Sequence, residues 1–565
     1  MKLPERHIGP WTREIITECT ASKQTRRGLY RTYTNLFYAG TDSGNPAKDN
    51  MCYAHVDKLS SYLFSPADVR FDVSFEVDET PRWHGAADIT SRHMTREFRR
   101  TGCGLAFAQG VDGSLVKGCN LIKMTWGARG WQPHLIQPDM FGVMREDLQD
   151  LDDQDAFVYS YYLTPSQFKR AMVGHPKASA IIGEVMNTHA NAMQDEGYSQ
   201  DYFHEIIAGG VNPIGTSASS GQRGSVSYQA TPQPMVSPRV AERLICIDEV
   251  WVMNDMARSG QGDWTTIRMV GDVVIDGEYR YRNMCDIPGD HPFIKVCPNE
   301  VAGYFWGRSE LATVAQPQLW LNERLEDMDR IFRRQAQPSR AFTGFSSITD
   351  EKVRILNAPN GVLTDAQAPN AKIETLMPQM PPNAMEYLAM IKKVFEEAGG
   401  FTSMTSGQGE AGVRSGAQAQ TLLRTSSPRL RDRALVVEDQ CAKLGDLCLK
   451  LSQVKDARVF TQPKSKTGVA GMFGKVEQFM LSQLPDDVQV SVDSHTSSPA
   501  FSGDNQQLAF ALAARGAIDG EALIKMTHPP YQDELVLAFR DREEQRAAFL
   551  QQHPELAVPH GKSKK

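Results

Sequence analysis

Gly303-Tyr304-Phe305-Trp306-Gly307-Arg308-Ser309-Glu310-Leu311 opens the stretch that decides the fold. Ser309 suits a helix N-cap, because its side-chain oxygen can accept a free backbone N–H of the first turn. Beyond it Leu321, Leu325, Met328 and Phe332 fall on one stripe, with Glu326/Arg330 and Asp329/Arg333 as i,i+4 pairs on another face. A plain amphipathic core helix fits this segment equally well. Pro317 lies inside the pattern and predicts a kink or a restart. An insert from Pro338 to Pro382 follows, with short strands expected at 340–345, 353–356 and 373–376 and a turn at Pro359-Asn360-Gly361. A second helix, 383–400, is expected to be capped by Asn383, with Glu386 completing a box-like pattern, and to stop at Gly399-Gly400. Its apolar stripe is Ala384, Leu388, Ile391, Phe395 and Ala398.

The next residues, Phe401 to Gly416, are rich in Gly, Ser and Thr. Gly407-Gln408-Gly409-Glu410-Ala411-Gly412 formally matches the G-x-G-x-x-G dinucleotide fingerprint. A helix precedes it, where the fingerprint needs a strand feeding a tight turn, so the match is rejected. Gly468 to Lys475 fails as a phosphate loop as well: its glycine spacing is off by one, and Val476 stands where Ser or Thr would meet the metal. A closing helix, 415–453 with a break at Ser427-Pro428, carries Leu430, Ala434, Val437, Cys441, Leu444, Cys448 and Leu451 in 4-3-4-3 spacing. A 3.5-residue period describes one narrow seam meeting other helices, here expected between subunits. A central helix within one domain would more often show a wider apolar face.

Upstream, residues 11–37 read as one polar helix whose Arg13, Lys23, Arg26, Arg27 and Arg31 form a solvated face. Residues 49–63 read as a second helix. Val69, Phe71, Val73, Phe75 and Val77 alternate with polar residues, the mark of a half-buried strand. A helix over 81–109 exposes Arg96, Arg99 and Arg100, read as a solvated face rather than a ligand site. Strands are expected from 115 to 126 and at 134–136 around the turn Gly127-Ala128-Arg129-Gly130, and helix over 164–192. Residues 209–238, rich in Gly, Ser, Thr and Pro, read as a mobile surface loop. Strands resume at 244–253, 265–270 and 273–275, the last joined through Asp276-Gly277 to 279–281, and at 293–296. After 453 come strands near 458–461 and 488–492, helices over 505–515, 521–526 and 532–551, and a basic tail.

The 565 residues allow two to four domains, and 41% hydrophobic with 23% charged residues is ordinary for a globular chain. A net charge of -7 argues against a protein that neutralises many phosphates at once. Nine cysteines without a C-x-x-C pair point away from a zinc ribbon and toward a reducing compartment; Cys441 and Cys448 read as packing. No apolar run approaches the roughly 20 residues that span a bilayer, and residues 1–6 lead into no signal-type apolar segment. The sequence holds no H-E-x-x-H, G-x-S-x-G or paired Cys/His motif. The expectation is a protein that is not an enzyme, without catalytic residues, cofactor or metal.

In order and spacing the chain resembles the portal (head-to-tail connector) proteins of tailed bacteriophages. The resemblance covers roughly residues 100–530. It is densest in G-x-x-x-G-R-S-E-L and Q-x-x-L-N-x-R over 303–326, in Pro338, and in Gly412-Val413-Arg414-Ser415 leading to the closing helix with Glu438. It implies an α+β portal-like fold in which residues 1–302 form the wing, 303–334 and 383–400 the stem helices, and 335–382 the clip. Residues 401–414 would be a tunnel loop, 415–500 the long helix and the return to the wing, 501–552 the crown and 553–565 a tail. By the same resemblance the protein is a ring, usually of twelve subunits, at one capsid vertex of the virion, assembled in the host cytoplasm. Terminase would package double-stranded DNA through it, DNA would later be ejected through it, and head-tail adaptor and tail proteins would attach to it. The partners implied are further copies of itself, that DNA, the large terminase, those adaptor and tail proteins, and major capsid and scaffolding proteins, with no membrane. Thr405, Ser406, Gly407, Gln408, Gly409, Glu410 and Arg414, with Lys392 and Lys393, would lie along the DNA channel. Arg340, Lys352, Arg354, Asn360 and Lys372 would face terminase and adaptor. Leu430, Val437, Cys441, Leu444, Cys448 and Leu451 would form the inter-subunit seam. The alternative is an oligomeric scaffold or adaptor with no part in DNA transport.

Overall fold

The computed structural model describes residues 8–38, 49–75, 81–192, 244–254, 263–276, 290–343, 372–400, 428–463, 476–492 and 508–527, a few single positions apart. The architecture is α+β, with helices and several small antiparallel sheets. Helices α1 (Ile8–Thr20), α2 (Lys23–Phe37) and α3 (Met51–Leu63) precede strand β1 (Phe71–Phe75) and helices α4 (Pro81–Thr101) and α5 (Cys103–Lys117). Hairpin β2 (Asn120–Gly127) and β3 (Gly130–Ile136) follows, then β4 (Phe141–Val143), β5 (Ala156–Leu163), α6 (Pro165–Ala171) and α7 (Ala178–Ala192). Next are β6 (Ile245–Asn254), β7 (Asp263–Val270), β8 (Val273–Asp276) and β9 (Phe293–Val296). Helix α8 (Leu311–Ala336), β10 (Ser339–Thr343), β11 (Lys372–Leu376), α9 (Ala384–Gly399) and α10 (Pro428–Lys455) make up the central run. Strands β12 (Val459–Pro463), β13 (Val476–Met480) and β14 (Val488–Val492) return the chain to the body, and residues 508–514 and Gly520–Thr527 are helical.

Strands β4-β5-β6-β7-β8 form a five-stranded sheet and β3-β2-β9 a three-stranded one; β1-β14, β10-β11 and β12-β13 are separate antiparallel pairs. The two larger sheets are pinned by a buried ion pair, Lys123 Nζ to Glu249 Oε1 and Oε2 at 2.6 and 2.8 Å, with Trp251 Nε1–H also donating to Glu249 (2.8 Å). The alternating strand near 71–75 is as its period demands: Phe71 and Val73 are buried, and Phe71 pairs with Val492 across the long sequence gap to β14.

Several expectations are corrected. Residues 11–37 are two helices rather than one, and Lys23 and Arg26 are buried rather than solvated. Arg26 stacks its guanidinium 3.6 Å from the Trp306 ring centre and pairs with Glu146 (Nε to Oε1, 3.2 Å), contacts from distant residues that helix periodicity does not encode. The helix expected over 81–109 divides at Gly102, whose φ of +78° interrupts it. Leu115 to Lys117 end helix α5, and the strand begins only after Gly118. Strand β13 was not anticipated; it finds its partner in β12 across the Gly- and Lys-containing stretch. Asn383 makes no side-chain cap, whereas Gly400 ends α9 in the left-handed region (φ +73°), as a C-terminal glycine should. Helix α8 passes through buried Pro317 without a restart. Residues 209–238, 279–281, 401–427 and most of 528–565 lie outside the described residues.

Candidate functional site

The motif that opens α8 is a buried junction. Ser309 Oγ accepts the Leu311 N–H (3.1 Å), as an N-cap does, and donates to Val116 O (2.5 Å) at the end of α5. Gly307 has φ +64°, and a Cβ there would run into Cys297 Sγ and the Gly118 carbonyl, which explains a glycine at this place in G-x-x-x-G. Phe305 and Trp306 are buried, and Trp306 Nε1–H donates to Glu146 (2.7 Å). Glu310, 1% exposed, then joins four elements. Arg433 of α10 reaches it at 2.8 Å, Asn299 Nδ2 donates to it at 3.1 Å, and His55 Nε2 of α3 lies 3.4 Å away. His55 also meets Phe395 edge-on, and Gly399 leaves room for its ring, so the end of α9 is tied to the same point. The end of α9 and the second turn of α10 are thus tied to one base.

From this base α8 and α9 run as an antiparallel hairpin. Leu321, Leu388 and Ile391 are its buried centre, with Leu325, Met328 and Met51 packed on them. Outside, Arg324–Asp327 (2.9 Å), Arg330–Glu326 (3.1 Å) and Arg333–Asp329 (2.9 Å) line α8. Phe332, expected on the buried stripe, is exposed because the hairpin core ends before it. At the far end β10 and β11 pair from Ser339↔Leu376 to Thr343↔Lys372, which places Arg340 opposite Thr375.

The sequence-predicted sites divide sharply. Lys392 pairs with Asp49 (2.7 Å) and Lys393 with Glu397 (3.8 Å), so both are held on the hairpin flank. Thr405, Ser406, Gly407, Gln408, Gly409, Glu410 and Arg414 lie outside the described residues, as do Lys352 and Asn360. Lys372 is exposed and paired with Glu374; Arg354 is helical rather than in the expected strand, with its side chain exposed.

The seam is corrected. Val437, Cys441, Leu444, Cys448 and Leu451 are fully buried in the chain's own core, and Leu430 is 8% exposed. Strand β14, helix α3 and strands β2 and β9 already cover them, with Phe71 of β1 packed at Gly445. Leu447, Leu449, Gln440 and Ser452 are buried too, so α10 is covered on a wide face. A heptad pattern demands apolar neighbours but does not say which chain supplies them.

One group of ligand-type side chains occurs among the described residues: Asp152, Asp290 and His291, in a cleft of about 430 Å³ between the β9 region and α10. His291 Nδ1 accepts the Phe293 N–H (3.3 Å), which leaves the ring proton on Nε2, 3.1 Å from Asp152 Oδ1. Lys450 Nζ sits 3.0 Å from Asp290. Bonding to His291 holds the Asp152 carboxyl below its ordinary value. A metal-bound Nε2 would need the proton moved to Nδ1, against that backbone N–H, and a lysine already neutralises one carboxylate. The donor set does not fit a cation.

No family model and no curated protein matches the chain. Among solved structures it is similar to a chain described as the virion of a native gene transfer agent (GTA) particle, at 12% identity and a TM-score of 0.37, over 89% of this chain and 93% of that one.

Proposed function

We propose that this chain is the portal subunit of a tailed-phage-like particle. It closes into a ring at a capsid vertex, through which terminase packages double-stranded DNA and DNA later leaves, and to which adaptor and tail proteins attach. Its role is structural rather than catalytic. One observation carries the reading, the second apolar stripe of α9. Leu388, Ile391 and Phe395 face inward, yet Tyr387, Met390 and Val394, at i, i+3 and i+7, are 46%, 53% and 38% exposed. The hairpin's own core leaves this stripe unpartnered within the described chain. The occupant we assign is a second copy. Glu397 beside the stripe is already paired with Lys393, and Arg324 on α8 with Asp327, so the match is one of apolarity: the outward face of α8 presents Trp320, 43% exposed. Pairing α9 of one copy with α8 of the next is heterologous, and such a contact closes into a ring when its rotation allows. The order of helix α8, strand pair β10–β11, helix α9 and long helix α10 is in keeping with the resemblance drawn from sequence.

Electron microscopy of the purified protein tests this: holed rings are expected, and only monomers or dimers at micromolar concentration would overturn it. Met390→Glu with Val394→Glu should abolish rings, yet change the stability of the single chain by no more than about 0.5 kcal/mol, as exposed substitutions do. Light scattering and thermal melting read the two effects separately. Residues 401–414 are proposed to lie beside DNA. Shortening Met404 to Ala411 is expected to leave ring assembly intact while packaged genome length or retention falls. Normal packaging in that variant would remove the role beside DNA.

A further inference from the structure

A second charged surface lies far from the stem in sequence. On α4, Arg92, Arg96 and Arg99 stand at i, i+4 and i+7 and are all exposed, with Arg100 beside them. Arg100 Nη2–H donates to the Arg129 carbonyl (2.5 Å), which brings the turn between β2 and β3 and its exposed Arg129 onto the same surface. Arg458, just after α10, closes the group: its Nη2 lies 3.5 Å from His93 and its Nη1 3.9 Å from Glu97. Six arginines from three separate parts of the chain thus meet. The acids among them are Asp88, Glu97 and Asp456, so the cluster carries 6 − 3 = +3 in a chain whose net charge is -7. The depth of the acids matters more than the sum. Glu97 and Asp456 are only 8% and 4% exposed, beneath Arg100 and Arg458 at 43% and 53%. The layer that meets solvent is therefore mainly cationic, with Asp88, 59% exposed and paired with Arg92, the exposed acid among the three.

Helix polarity accounts for part of this. Arg99 and Arg100 occupy the last turn of α4, where the carbonyl ends favour cations. It does not account for Arg92 and Arg96, a turn or more earlier, or for Arg129 on a strand turn. Among the described residues no ion pair engages Arg96 or Arg99. Among the described side chains, α4 and the β2–β3 turn expose no large apolar residue there, although Val459, next to Arg458, is 52% exposed. A protein partner is usually held by a buried apolar or aromatic anchor, and no exposed aromatic stands among the described side chains of α4 or the β2–β3 turn. A row of guanidinium forks, spanning about 10 Å along the helix, is suited to phosphate oxygens.

We infer that the α4/β2–β3 surface is a docking site for the phosphate backbone of double-stranded DNA, sequence-independent and salt-sensitive. It is separate from the proposed channel and does not require a ring. The test is fluorescence anisotropy of the full-length protein with a labelled duplex about three helical turns long, between about 50 and 200 mM salt. Arg96→Glu with Arg99→Glu should weaken binding at least about tenfold at the low end and reduce the log–log salt slope by about 2, near 0.9 per lost phosphate contact. Arg96→Lys with Arg99→Lys should retain most of the slope. Lys169→Glu with Arg170→Glu, an exposed charge-matched pair on α6, should leave binding unchanged. Equal effects of the two reversals, or no duplex binding by the native protein, would overturn the inference. So would capture of a poly-glutamate chain without duplex binding, which would assign the surface to an acidic protein instead. Holed rings that bind no duplex would sink this site and leave the portal reading standing; duplex binding through α4 by a strictly monomeric chain would do the reverse.

Discussion

Leu444→Asp is expected to cost the protein its fold, not merely its assembly. Leu444 is 0% exposed in the main core, and next to it Gly445 lets α10 approach Phe71 and Val490 so closely that a Cβ would collide with the Phe71 ring. A carboxylate at position 444 finds no partner in that contact and must be buried charged or protonated, while the leucine's packing is lost. The sum is on the order of 5 kcal/mol, comparable to the whole net stability of an ordinary domain. Asp446, two residues on, is part-exposed and paired with Lys450 at 3.0 Å, so Asp446→Asn should cost no more than about 1 kcal/mol. Circular dichroism and light scattering separate the cases. A Leu444→Asp chain that melts cooperatively near the native temperature as a monomer would return this residue to an inter-subunit contact.

The junction at Glu310 should respond almost as strongly, with a distinctive pattern. Arg433→Met leaves the Glu310 carboxylate, 1% exposed, with Asn299 and His55 but without its guanidinium. Glu310→Leu removes the carboxylate that Arg433 reaches at 2.8 Å. Each single change is expected to cost about 3–5 kcal/mol, because a buried charge loses the opposite charge in contact with it. The double variant should regain a large share of that loss, since both halves of the pair are gone and apolar groups fill the space. Denaturant midpoints of the four proteins read this directly. Single losses below about 1 kcal/mol would mean that water reaches the junction and that it does not fix the base of the α8–α9 hairpin.

Much of this arrangement was legible from residues alone. The alternation around Phe71 to Phe75, the turn at 127–130, strand 293–296 and the cap at Ser309 depend on neighbours within a few positions, where period and backbone preference decide. The hairpin stripe Leu388, Ile391 and Phe395 was legible for the same reason. What failed had long-range causes. Lys23 and Arg26 read as solvated because their partners, among them Glu146 and Trp306, lie more than a hundred residues away. The Lys123–Glu249 pin, the Glu310–Arg433–His55 junction and the shared surface of Arg96, Arg129 and Arg458 give no local signal at all. Glu310 and Arg433 were each in view, one inside the motif and one on the long helix, but nothing in spacing joins them.

The sequence by itself determined that the chain contains two helices flanking an insert, a long closing helix with a narrow apolar repeat, and strands before and after them. It also determined that the seam must be buried, because seven apolar side chains at 3.5-residue spacing cannot be left in water without cost. Only the tertiary structure decided where that burial takes place. Strands β1 and β14, brought together from more than 400 residues apart, reach α10 first and consume the seam within one chain. The shorter stripe on α9, at Tyr387, Met390 and Val394, stays exposed among the described residues. Hydrophobic burial is non-directional, so a pattern can fix that a face is covered, but only the packing of distant elements fixes by what.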